Sequence, residues 1–155
     1  MRLRILALSL LAAACAHQAT QPAPQSGHGA INLSIVPNPI VAQHVTSQTG
    51  NTYEFPFDIV VRETGGHPLR INGITMTVYA FGIPVNVDKY DAAEIAAMGY
   101  PTDVPANGEL RYHLHPRRAV TDDRLFTNVS ASVRIEATDD TSAPTSASTS
   151  VSVTR

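Results

Sequence analysis

The chain has 155 residues, 11 basic and 13 acidic side chains, a formal charge of −2, one cysteine and no tryptophan. A mildly acidic balance with no basic cluster excludes nucleic acid and anionic lipid headgroups as electrostatic partners. A single cysteine excludes a disulfide within the chain, so any fold must rest on its apolar core.

Met1-Arg2-Leu3-Arg4 is a basic start, and Ile5 to Ala14 is an apolar run that closes on Cys15. A basic segment, an apolar segment and a small-residue exit have the form of an export signal. The run falls short of the ~20 apolar residues a membrane-spanning helix needs. Leu11-Ala12-Ala13-Ala14-Cys15 resembles the lipobox of bacterial lipoproteins. The resemblance implies cleavage before Cys15, lipid attachment at Cys15 and, with Ala16 following, sorting to the outer membrane. The alternative reads Ala14-Cys15-Ala16 as an A-x-A site, cut before His17 to release a periplasmic or secreted protein. Residues 1–15 are thus expected to be the signal, and the membrane, through a lipid anchor, the expected partner.

Residues 16–29 (AHQATQPAPQSGHG) carry Gln, Pro, Ser and Gly without apolar periodicity. Such a segment has too little apolar surface to fold and reads as a flexible tether. Residues 30–155 are of a length suited to one domain.

Within that domain apolar residues recur with a period of two. Ile31, Leu33 and Ile35 alternate with polar residues until Pro37 and Pro39 end the strand. Tyr53, Phe55, Phe57, Ile59 and Val61 form the next stripe, in which Pro56 lacks a ladder donor and must sit at a bulge or unpaired position. Ile74, Met76, Val78 and Ala80 follow, with Gly73 suggesting a bulge at the start. Ile83 to Val87 makes a short fourth strand. Leu110, Tyr112 and Leu114 oppose Glu109, Arg111, His113 and His115. Val129 to Ala137, then Ala147 to Val153, complete the series. One wet and one dry face per strand is the mark of antiparallel sheets packed face to face.

The stripes, their Thr, Val and Ile content and the Gly65-Gly66 and Asn107-Gly108 turns resemble immunoglobulin-like or fibronectin type III-like domains of exported bacterial proteins. The resemblance implies an all-β fold, an antiparallel Ig-like β-sandwich of about seven strands. The inter-sheet cysteine pair, core tryptophan and tyrosine corner of antibody domains are missing from the sequence. In the long crossover, Asp91-Ala92-Ala93-Glu94 has the form of a capping box, Gly99 suits a left-handed exit and Pro101 prevents continuation. A two-turn helix is expected there, held by Ile95 and Met98. It reads as a plug over a sheet edge rather than a lid beside a pocket.

Two side-chain groups could carry function. Ig-like topology brings the loop of Glu63 and His67 beside that of Asp139 and Asp140, a candidate partner surface and a conceivable Ca²⁺ cage. His113 and His115, two apart on a strand, face the same way and could meet Cu²⁺ or Zn²⁺. A metal site wants at least a third ligand, and Arg111 stands between them. Arg117, Arg118, Asp122, Asp123 and Arg124 read as solvated loop charge. No G-x-S-x-G motif, phosphate loop or catalytic thiol occurs in the domain. The sequence therefore predicts an exported, lipid-anchored, non-enzymatic Ig-like binding or structural module with an envelope protein or polysaccharide partner. It predicts no cofactor and no catalytic residue. The alternatives are a periplasmic metal-binding protein using His113 and His115, a small enzyme with a deep pocket of converging titratable groups, and a protease inhibitor, for which the Gly82–Gly108 connection would be the protruding loop.

Overall fold

The computed structural model describes residues 27–46, 51–120 and 123–155. The leader with Cys15, the tether up to residue 26, and Asp122 lie outside the described residues.

The first strands are β1 (Ile31–Val36), β2 (Ile40–Val41), β3 (Gln43–His44), β4 (Thr52–Glu54) and β5 (Phe57–Glu63). The long strands β6 (Leu69–Ala80) and β7 (Ile83–Asp91) lead into the helix α1 (Ala92–Ala97). Then come β8 (Asp103–Val104), β9 (Glu109–Leu114), β10 (Arg117–Ala119), a 3₁₀ turn over Asp123–Asn128, β11 (Val129–Asp139) and β12 (Pro144–Thr154). One layer is ordered β1-β5-β9, with β3, β4 and β10 extending it at one end. The other is ordered β2-β12-β11-β6-β7, with β8 beside β6. All pairings are antiparallel except β2 with β12. The chain changes layer at Pro37–Pro39, where both X-Pro bonds are cis. The fold is an all-β antiparallel sandwich, as the alternation predicts.

The inward stripes meet as expected. Ile59 and Val61 from β5 and Tyr112 from β9 pack on Ile71 from β6 and on Val133 and Ile135 from β11, all nearly inaccessible to solvent. Pro56 lies between β4 and β5, where the ladder to β9 and β10 lapses and Phe55 N–H donates to Pro116 O instead. The bulge expected near Gly73 is present: Glu136 pairs with Gly73 but Ala137 with Ile71, leaving Asn72 over.

Two stretches differ from the sequence reading. Arg117 and Arg118 are not loop residues; they form β10 and pair with Glu54 and Tyr53 of β4. The fourth strand runs on past Val87 to Asp91, because Asn86, Asp88 and Tyr90 keep pairing with Val78, Met76 and Ile74. Those three residues are half-buried while Val85 and Val87 are exposed, so β7 inverts the usual amphipathic order. A polar stripe on the sheltered face hides a strand from periodicity.

Helix α1 follows the capping-box prediction. Asp91 accepts from Glu94 N–H at 2.9 Å, and Glu94 accepts from Asp91 N–H at 2.9 Å. Gly99 takes φ +85°, its N–H donating to Ala96 O. Ile95 is fully buried, whereas Met98 is 48% exposed, so Ile95 is the anchor. Beneath the helix the remaining space is only about 50 Å³. It closes the sandwich instead of gating it.

Candidate functional site

The loops of Glu63, His67, Asp139 and Asp140 do meet at one end of the sandwich. Glu63 ends β5 with its side chain turned inward. It accepts from the N–H groups of Ala30 (3.1 Å), Gly65 (2.6 Å), Gly66 (2.9 Å) and Asn107 (2.8 Å). Asp139 ends β11 and accepts from the N–H of Gly29, Thr141 and Ala143 and from the Thr141 hydroxyl, at 2.7–2.9 Å. Burial raises the Glu63 pKa, but its four backbone donors outweigh that and hold it below the usual range. The Gly29 N–H, then the Thr141 hydroxyl, do the same for Asp139. Both carboxylates are therefore fasteners for three loops, 1% and 6% exposed. Their oxygens already take donors, which leaves no cage for a cation. Across this end His67 Nδ1 meets Asp140 Oδ1 at 2.9 Å, and these two form the accessible part of the surface.

His113 and His115 share an exposed face but not a common ligand position. His113 Nδ1 lies 2.7 Å from Asp58 Oδ1, while His115 Nδ1 lies 3.2 Å from Glu54 Oε1. Arg111 bonds Asp58 at 3.0 Å and Glu109 at 3.3 Å. Arg62 reaches Glu109 at 2.8 Å, and Arg117 reaches Glu54 at 2.8 Å. The result is a ladder of alternating charge across β4, β5, β9 and β10. Burial raises the Asp58 pKa, but Arg111 and His113 lower it further than that. Among the described residues, no three His, Cys, Asp or Glu side chains are grouped to hold a metal.

The sequence reading missed a cavity of about 410 Å³ between the layers, at the end opposite Glu63. Phe57, Met76, Val78, Phe126, Ala131 and Val153 are among its walls. Asn86, Asp88 and Arg118 stand at its polar border. Asn86 Nδ2 donates to Asp88 Oδ2 at 2.8 Å, and Arg118 Nη2 reaches the same oxygen at 3.4 Å. The inverted order of β7 places this polar group there. Small residues at Ala80 and Ala131 leave the space that larger ones would fill. Beside it the β6–β7 hairpin exposes Phe81 (61%), Ile83 (65%) and Val85 (61%). These two features, polar residues on the sheltered side of β7 and small ones at Ala80 and Ala131 in the same sheet, were the available signal in the sequence.

No family model matches the chain, and no curated protein matches it. Among solved structures it is similar to a protein designated ApaA from Bordetella pertussis. That match has TM-score 0.57 and 11% identity, over 84% of this chain and 98% of that one. It is also similar to the structural genomics target SoR45, with TM-score 0.54 and 8% identity, over 83% of this chain and 88% of that one. At such identities the likeness is one of fold alone: the chain shares a β-sandwich architecture with both.

Proposed function

We propose that the chain is an exported, lipid-tethered, non-enzymatic binding module of the cell envelope, acylated at Cys15 and held at the outer membrane. One observation carries the binding part: the apolar cavity and the exposed Phe81–Val85 hairpin lie together at one end. The tether enters at the other, where Gly29 packs on Leu69 and is held by Asp139. β11 runs between the two ends, a distance of roughly 30 Å at ~3.3 Å per residue. An anchored module thus has its apolar end remote from its own attachment point. The histidines of the metal-binding alternative are each engaged with a different carboxylate, which does not favour that reading.

Two measurements test the proposal. Intact mass of the membrane-extracted protein should show a chain beginning at acylated Cys15; a chain beginning at His17 without lipid ends the anchor. Envelope pull-downs should lose their partners when Phe81, Ile83 and Val85 are changed to Ser. Replacing His67 and Asp140 tests the opposite end in the same assay. Recovery unchanged in both variants ends the assignment of either surface.

A further inference from the structure

We infer that the cavity between the layers is a binding site for one long-chain fatty acid, with its hydrocarbon chain inside and its carboxylate at Arg118. The inference rests on the binding-module reading and names its ligand class; it does not depend on the anchor.

The volume, about 410 Å³, falls within the ~300–1,000 Å³ of small-molecule pockets. Its walls are aliphatic and aromatic side chains from both layers, including Ile35 and Phe57 on one side and Met76 and Val133 on the other. The strands behind them, β6 and β11, are interior to their sheet, so their backbone groups are already paired. A peptide in this space would find no partners for its own N–H and C=O groups, and water would find too few. A hydrocarbon chain asks for none.

Among the described residues, the charged and amide side chains of the lining stand at the border. Arg118 is more than half exposed, and its reach to Asp88 is long at 3.4 Å, while Asp88 keeps a firmer partner in Asn86 at 2.8 Å. The guanidinium also donates from Nη1 to the Arg117 carbonyl at 3.0 Å, an exposed bond that water can replace, so it can turn to a second carboxylate with Asn86 still holding Asp88. Arginine matches a carboxylate in a two-bond fork, which an alcohol cannot use. The exposed Ile83 and Val85 beside the opening give the chain an apolar path of entry.

The experiment uses the full chain with Cys15→Ser, which removes acylation. Cis-parinaric acid, whose fluorescence rises in apolar surroundings, is the probe, displaced by palmitate or by hexadecanol. The expected result is micromolar or tighter parinarate binding that palmitate displaces. Ala131→Phe and Ala80→Phe, each shown folded by thermal melting, should weaken it at least about tenfold. Arg118→Gln should weaken palmitate about fivefold or more and leave hexadecanol unchanged. Absent binding by the parent chain, or unaltered affinity in whichever filled variant folds, overturns the site. Equal effects of Arg118→Gln on the acid and the alcohol overturn the carboxylate assignment. Should parinarate fail while the hairpin-dependent pull-down succeeds, the acyl ligand falls and the binding module stands.

Discussion

Glu63 shows how a single buried carboxylate can organise an entire end of a sandwich. Its four backbone donors come from three separate segments, so one carboxylate ties all three together. Its folded pKa lies below the unfolded value of ~4.3, so the unfolded state binds more protons on acidification. The stabilisation is full above that unfolded value and is lost as pH falls through the folded pKa; Asp139 acts in the same direction. Thermal midpoints should therefore drop as pH is lowered from about 5 toward 2. Glu63→Gln should cost about 1–3 kcal/mol at pH 7 and flatten that acid limb. A second residue works against the fold. Phe81 sits at φ +53° beside Gly82 at +78°, a turn whose first position favours Asn. Phe81→Asn should raise stability by about 1 kcal/mol, measured by urea denaturation.

At the scale of elements, α1 and β7 form one continuous device. Asp91 ends the strand, pairs with Gly73 and caps the helix at once. Asp91→Ala should cost about 1 kcal/mol through the lost cap. Ile95→Ala should cost about 2–5 kcal/mol, since Ile95 alone of the helix is fully buried. Chemical denaturation distinguishes the two. The helix was legible because a capping box is local chemistry, written in four consecutive residues. The second half of β7 was not, because Asn86, Asp88 and Tyr90 stand where a strand normally turns its apolar side chains. Their position makes sense only against β6 and the cavity they border. β10 escaped notice for a similar reason: Arg117-Arg118 reads as loop charge until Glu54 and Tyr53 lie opposite it.

At the scale of the molecule, one core joins both layers and the helix. Unfolding should be a single transition, with calorimetric and van't Hoff enthalpies in agreement; a ratio well above one would mean the layers part independently. The distribution of chemistry follows the long axis. The charged ladder covers the outer face of β5 and β9, the fastened loops close the tether end, and the apolar space opens at the other. A titration with Zn²⁺ or Cu²⁺ should give no micromolar site that a His113→Ala, His115→Ala double variant removes, because no third ligand joins either histidine among the described residues.

The sequence by itself determined the sandwich, the helix, the bulge near Gly73 and the break at Pro56, since period-two burial, capping and proline's missing donor act between near neighbours. The resemblance to Ig-like domains also implied that the Glu63 and Asp139 loops would be adjacent, since that topology fixes which loops share an end. Only the tertiary structure decided that both carboxylates point inward to backbone donors, and that a void remains beside Ala80, Ala131, Asn86 and Asp88. Cavities are differences between volumes contributed by distant strands, and no stretch of the chain contains that difference on its own.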